Sequence, residues 1–145
     1  MTTTSRLGRQ IAEIISSLSR ENIPFALIGG LALAAHNVVR ATQDVDVLIS
    51  ATDAERLDSV LVALGYRCLH RNADAGNYLR EDERLDVLFA SRPAVMKLLS
   101  KSSTKPTTFG MLPIIGPEGL IGLKLQALVN NPRRTQDLED IRALI

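Results

Sequence analysis

Tryptophan is absent from the 145 residues, and aromatics make up only 3% of them. That argues against a platform of stacked rings for single-stranded nucleic acid. A single cysteine, Cys68, excludes an internal disulfide and a zinc site built on cysteines. Its expected place is among the small buried hydrophobes. The two histidines, His36 and His70, lack ligand spacing, so both are expected in core or surface roles. A long apolar run is missing as well. The stretch from Ile23 to Val39 is broken by Pro24, Gly29, Gly30, His36 and Asn37, too often for a membrane-spanning helix. The first residues, Met1 to Arg6, lead into an amphipathic pattern and not into the apolar segment of a signal peptide. A cytoplasmic protein without membrane contact is the expectation. Nor is there an excess of one charge: the net value of +1 points to no partner.

What is present is a hydrophobic content of 46%, enough for one good core in one globular domain over residues 1–145. Leu7, Ile11, Ile14, Ile15 and Leu18 recur at helical spacing and predict a helix over 6–20. Phe25 to Ile28 is a short apolar run, read as a buried strand that ends at Gly29-Gly30. Residues 31–38 read as a helix and 44–50 as a strand. Thr52-Asp53-Ala54-Glu55 has the form of a capping box, before a helix that Gly65 is placed to end. Short strands are expected at 66–70 and 77–80, a longer one at 84–90, and a helix from about Pro93 to Leu99. Ser102, Ser103 and Thr104 look like plain loop. Phe109 to Ile115 is expected to hold a strand or two, and Pro117 to open a helix reaching about Val129, with a last helix around Leu138 to Ile145. The order describes an α/β (α+β) fold with a small mixed sheet flanked by helices.

Two aspartates, Asp44 and Asp46, stand one residue apart, fourteen residues after Gly30. In a strand they project from one face, while Val45, Val47 and Ile49 fill the other. Neighbouring carboxylates repel each other, and a divalent cation such as Mg²⁺ or Mn²⁺ is one of the few good remedies. Asp86 repeats the design, with Leu85, Val87 and Phe89 on the opposite face. If the two strands are neighbours, three carboxylates face one cleft, a set suited to displacement at phosphorus. Gly29 and Gly30 lie between a strand and a helix, where backbone can approach a phosphate. They form neither a dinucleotide fingerprint nor a Walker A sequence. Arg40 and Thr42, just before the aspartates, either touch phosphate or order the loop. From Ser91 to Arg134 the basic residues Arg92, Lys97, Lys101, Lys105, Lys124, Arg133 and Arg134 are accompanied by one acid, Glu118. That stretch is either an ordinary solvated surface or a face toward NTP or RNA.

Gly29-Gly30, a helix, Asp44-Val45-Asp46 and a later strand aspartate together resemble the nucleotidyltransferase superfamily of the DNA polymerase β-like type. Details in 28–32, 40–46, 123–125 and 137–141 look closest to its abortive-infection AbiEii toxin branch and related small nucleotidyltransferases. The resemblance implies Mg²⁺ (or Mn²⁺) on Asp44, Asp46 and Asp86, with Asp86 also activating an acceptor hydroxyl. It implies phosphate contacts from Gly29, Gly30 and Lys124, and a functional carboxylate at Asp137. The chain departs from the pattern at Gly30, where serine is frequent, and at Gln136, where lysine usually precedes the aspartate. The implied activity is transfer of an NMP group from an NTP to a hydroxyl on RNA (tRNA among the candidates), protein or a small molecule. A toxin–antitoxin role and a homodimer or partner protein are compatible with it. A catalytically silent nucleotide-binding or interaction module of the same fold is the alternative. A metal-dependent glycosyltransferase would also use Asp-x-Asp, but such domains are usually much larger.

Overall fold

The computed structural model describes residues 6–29, 44–107, 110–119 and 122. Helix α1 (Arg6–Arg20) forms where the apolar spacing places it, and its Ile11, Ile14 and Leu18 are buried. It closes on Asn22, in the left-handed region at φ 55°, with the Ile23 amide returning to the Leu18 carbonyl at 2.9 Å. Strand β1 (Phe25–Ile28) follows. After β2 (Val45–Ser50), a 3₁₀ turn (Ala51–Asp53) leads into helix α2 (Ala54–Ala63). The capping box does not form. Thr52 lies inside the 3₁₀ turn, and the Ser50 hydroxyl accepts its amide instead, while Asp53 at the helix start makes no side-chain cap. Helix α2 ends as α1 does: Gly65 takes φ 97° and the Tyr66 amide bonds the Leu61 carbonyl at 2.9 Å.

Strands β3 (Arg67–Arg71), β4 (Ala75–Arg80) and β5 (Glu83–Ala90) then form an antiparallel meander. Helix α3 (Pro93–Ser100) comes next, with Pro93 in its first turn. Strands β6 (Ser103–Thr107) and β7 (Gly110–Ile114) pair antiparallel. The loop expected at Ser103 and Thr104 is therefore the start of an edge strand. A polar run pairs readily there because the edge needs no apolar face. Residues 117–119 are helical, as Pro117 suggested.

All seven strands share one mixed sheet in the order β3-β4-β5-β2-β1-β7-β6. Its two parallel contacts, β2 with β5 and β1 with β7, lie toward the middle. Leu27, Val45, Val47, Ile49, Tyr78, Leu85, Val87 and Phe89 are buried and fall on one face by alternation. Helices α1 and α2 cover that face. Tyr78 Oη donates to Asp58 Oδ1 at 2.9 Å, and Arg80 Nη1 donates to Glu13 Oε1 at 2.7 Å. The amide of Gln10, a buried polar residue, donates to Tyr66 Oη at 3.1 Å and to the Arg84 carbonyl at 3.0 Å. Cys68 is exposed, not buried. It stands on β3, an edge strand whose other residues are mostly exposed as well. No helix among the described residues is long and apolar enough to cross a membrane.

Candidate functional site

The site is written in strand register. Strands β2 and β5 are neighbours, and Asp46 pairs directly with Asp86. Residues paired across parallel strands share a face and lie about 4.8 Å apart. Both carboxylates thus project from the face opposite the covered core. On the other side of β2, Asp46 pairs with Ile28, the residue before Gly29.

Gly29 sits at φ 68°, a region that side-chain-bearing residues enter at a cost. A Cβ there would lie 2.2 Å from Asp46 Oδ2. Glycine therefore meets two needs at once: it lets the chain turn and it leaves room for the carboxylate. Asp44 is partly buried and stands immediately before β2. The strand alternation extended back by one residue puts it on the Asp46 face.

Sequence reasoning missed Asn77. It pairs with Asp86 across β4 and β5, and its Nδ2 donates to Asp86 Oδ1 at 2.7 Å. That bond holds one of the two carboxylate oxygens. The available signal was a polar residue at the centre of a strand beside the Asp86 strand. It was overlooked because the register between them could not be read.

Hard carboxylate oxygens side by side, with a glycine clearing space at one of them, fit a divalent cation. Asp46 and Asp86 are the pair that the register joins. Among the described residues, no three His, Cys, Asp or Glu side chains gather into a group able to hold an ion. Gly30, Arg40, Thr42, Lys124 and Asp137 lie outside the described residues. Of the basic stretch, Arg92, Lys97 and Lys101 are exposed and Lys105 is partly buried.

A family model described as an uncharacterised nucleotidyltransferase matches residues 2–105. No curated protein matches the chain. Among solved structures, the chain is similar to ANT(2")-Ia in complex with adenylyl-2"-tobramycin, with a TM-score of 0.73 at 18% identity, covering 97% of this chain and 88% of the other. It is similar to the lincosamide antibiotic adenylyltransferase LnuA, lincomycin-bound, with a TM-score of 0.69 at 15% identity, covering 99% and 98%. It is also similar to an antigenic nucleotidyltransferase-like protein from Paracoccidioides brasiliensis, with a TM-score of 0.59 at 15% identity, covering 97% and 76%. These likenesses show the fold.

Proposed function

The chain belongs to the nucleotidyltransferase family whose model matches residues 2–105, and from that premise we propose that it moves an NMP group, AMP by preference, from an NTP to a hydroxyl acceptor with Mg²⁺ or Mn²⁺. The observation that carries the reading is the Asp46–Asp86 register, with Gly29 cleared against Asp46. Asp44, Asp46 and Asp86 would hold the cation, which when bound offsets negative charge on the triphosphate. Gly29 and Gly30 offer backbone to phosphate, Lys124 balances its charge, and Arg40 and Thr42 border it. Asp86 takes the proton of the acceptor hydroxyl on the oxygen that Asn77 leaves open. The acceptor oxygen bonds the α-phosphorus, the α–β bridge breaks, and pyrophosphate leaves with the electron pair. By the resemblance at 137–141, Asp137 would supply a further functional carboxylate. Two of the structurally similar proteins bear names that describe adenylylation of antibiotics, which supports AMP transfer to a hydroxyl. A cytoplasmic setting, a toxin–antitoxin role and the AbiEii branch belong to the proposal too. The branch and the toxin–antitoxin role are carried by the motifs at 28–32, 40–46, 123–125 and 137–141, and the cytoplasmic setting by the interrupted apolar run at 23–39.

Asp86→Asn tests the reading. It should keep most of the nucleotide affinity and lose about 10²–10⁴-fold in transfer, measured with α-³²P-labelled ATP, Mg²⁺ and host-cell extract. Transfer at the wild-type rate would reject Asp86 as base. A second reading, a silent nucleotide-binding module, draws on the carboxylates not gathering into a group of three among the described residues. It takes over if calorimetry shows metal-dependent ATP binding while no RNA, protein or small molecule becomes labelled.

A further inference from the structure

The face that carries Asp86 continues across β4 to the edge strand β3, and its residues there have no role in the reaction described above. Between Cys68 and His70 the β3–β4 register shifts, so that His70 and not Leu69 pairs with Asn77. This bulge sets His70 in one row with Asn77, Asp86 and Asp46. Arg71, the next residue, falls on the opposite face. There its guanidinium pairs with Glu55 and lies over the Phe89 ring at 5.9 Å. One turn of the pleat away runs a second row: Arg67 pairs with Leu79, and Leu79 with Arg84. Alternation puts Arg67 and Arg84 on the Asp86 face. Both are exposed, and neither forms an ion pair among the described residues, a condition shared with Arg9, Arg20 and Arg92; what sets Arg67 and Arg84 apart is their place on the Asp86 face.

We propose that Arg67, Arg84 and His70 form the acceptor subsite of the transfer reaction, and that the acceptor is a hydroxyl compound carrying its own phosphate. The inference rests on the transfer reading above. Arg84 lies two residues from Asp86 along β5, about 7 Å, and His70 two strands away, about 10 Å. A hydroxyl at Asp86 therefore leaves a phosphate a few bonds distant beside the two guanidiniums, whose fork of donors matches its oxygens. Locally, Arg67 and Arg84 repel a cationic group set beside them, while the carboxylates Asp46 and Asp86 stand further along the same face. The phosphate source is either an RNA end or a small phosphate ester.

Binding is measured first, in EDTA, so that no transfer is needed. The full chain is titrated into a fluorescein-labelled RNA oligonucleotide and followed by anisotropy, with ribose 5-phosphate and unlabelled RNA as competitors. Arg67→Ala plus Arg84→Ala should weaken binding at least about tenfold and lower the salt slope by about two. Lys97→Ala on α3 plus Lys101→Ala just after it, both exposed, should leave it unchanged. Competition by ribose 5-phosphate identifies the small ester as the source; competition by RNA alone identifies the polymer. Transfer is measured second, with labelled ATP and Mn²⁺ on the same two probes and on tobramycin. The arginine pair should raise KM for the phosphate-bearing probe with KM for ATP unchanged. Binding that needs the arginines without any transfer leaves the subsite standing and removes the transfer reading. Binding that is absent, insensitive to the arginine pair, or lost instead with the lysine pair overturns the subsite, as does labelling of tobramycin alone.

Discussion

Gly29 is the residue on which the site depends most sharply. An alanine there meets both a backbone at φ 68° and the Asp46 carboxylate at 2.2 Å from its Cβ. The left-handed conformation alone costs about 1–2 kcal/mol, and the collision displaces Asp46 as well. Gly29→Ala is expected to lower the unfolding midpoint and to abolish metal-dependent ATP binding, checked by thermal melts and calorimetry on the same sample. A melt shift with full ATP affinity would show that Asp46 has no part in metal binding. In the proposed reaction Asn77 would act through Asp86, as a positioning residue. Losing its 2.7 Å bond frees the carboxylate to rotate, so Asn77→Ala should lower kcat about tenfold, the scale of one hydrogen bond to a charged group, with KM for ATP unchanged. A change confined to KM would place Asn77 in binding instead.

At the scale of elements, the edge strand β3 makes a simple prediction. Its Cys68 is exposed, so a colorimetric thiol reagent should titrate one thiol per chain in the native protein, with no denaturant. Reaction only after unfolding would contradict the strand's position. The same strand shows what was legible and what was not. Helix α1 and strand β1 were predicted at their observed limits, because an amphipathic stripe and a buried apolar run each impose a clear pattern. The neighbouring placement of β2 and β5 followed from their matching alternation of aspartate and aliphatic residues. Strand β6 and the exposure of Cys68 did not follow, because an edge strand is specified by its hydrogen-bonding partner and not by its own composition. The 3₁₀ turn displaced the expected cap for a related reason: Ser50, two residues before the four-residue motif, competes for the same amide.

For the whole molecule, stability and site are kept on opposite faces of one sheet. The covered face buries Tyr78 and Tyr66, and burial raises both phenol pKa values, with the Asp58 bond adding to the effect at Tyr78. A phenol whose folded pKa is raised holds its proton more tightly in the folded chain. Its contribution is thus fully present below the unfolded value of about 10 and is lost as pH rises beyond it toward the folded value. Urea unfolding at pH 8 and at steps above pH 10 should show flat and then falling stability. Tyr78→Phe should lessen the fall while losing roughly 1 kcal/mol at pH 8 through the missing Asp58 bond. An unchanged alkaline slope would remove Tyr78 as its source. The register of the central strands was legible only as an expectation of neighbourhood. Its exact pairing, and with it Asn77 and the row through His70, emerges only when all seven strands are assembled.

The sheet order sets the aspartates and the bulged strand β3 in different structural surroundings. Asp46 and Asp86 sit on the two central strands, where a misplaced residue disturbs partners on both sides. His70 and Arg67 sit on an outer strand with one neighbour, and both are exposed. If the proposed acceptor subsite holds, insertions and exchanges there would change what is bound without disturbing the pairing of Asp46 with Asp86. A scaffold arranged in this way can acquire a new substrate by editing its margin.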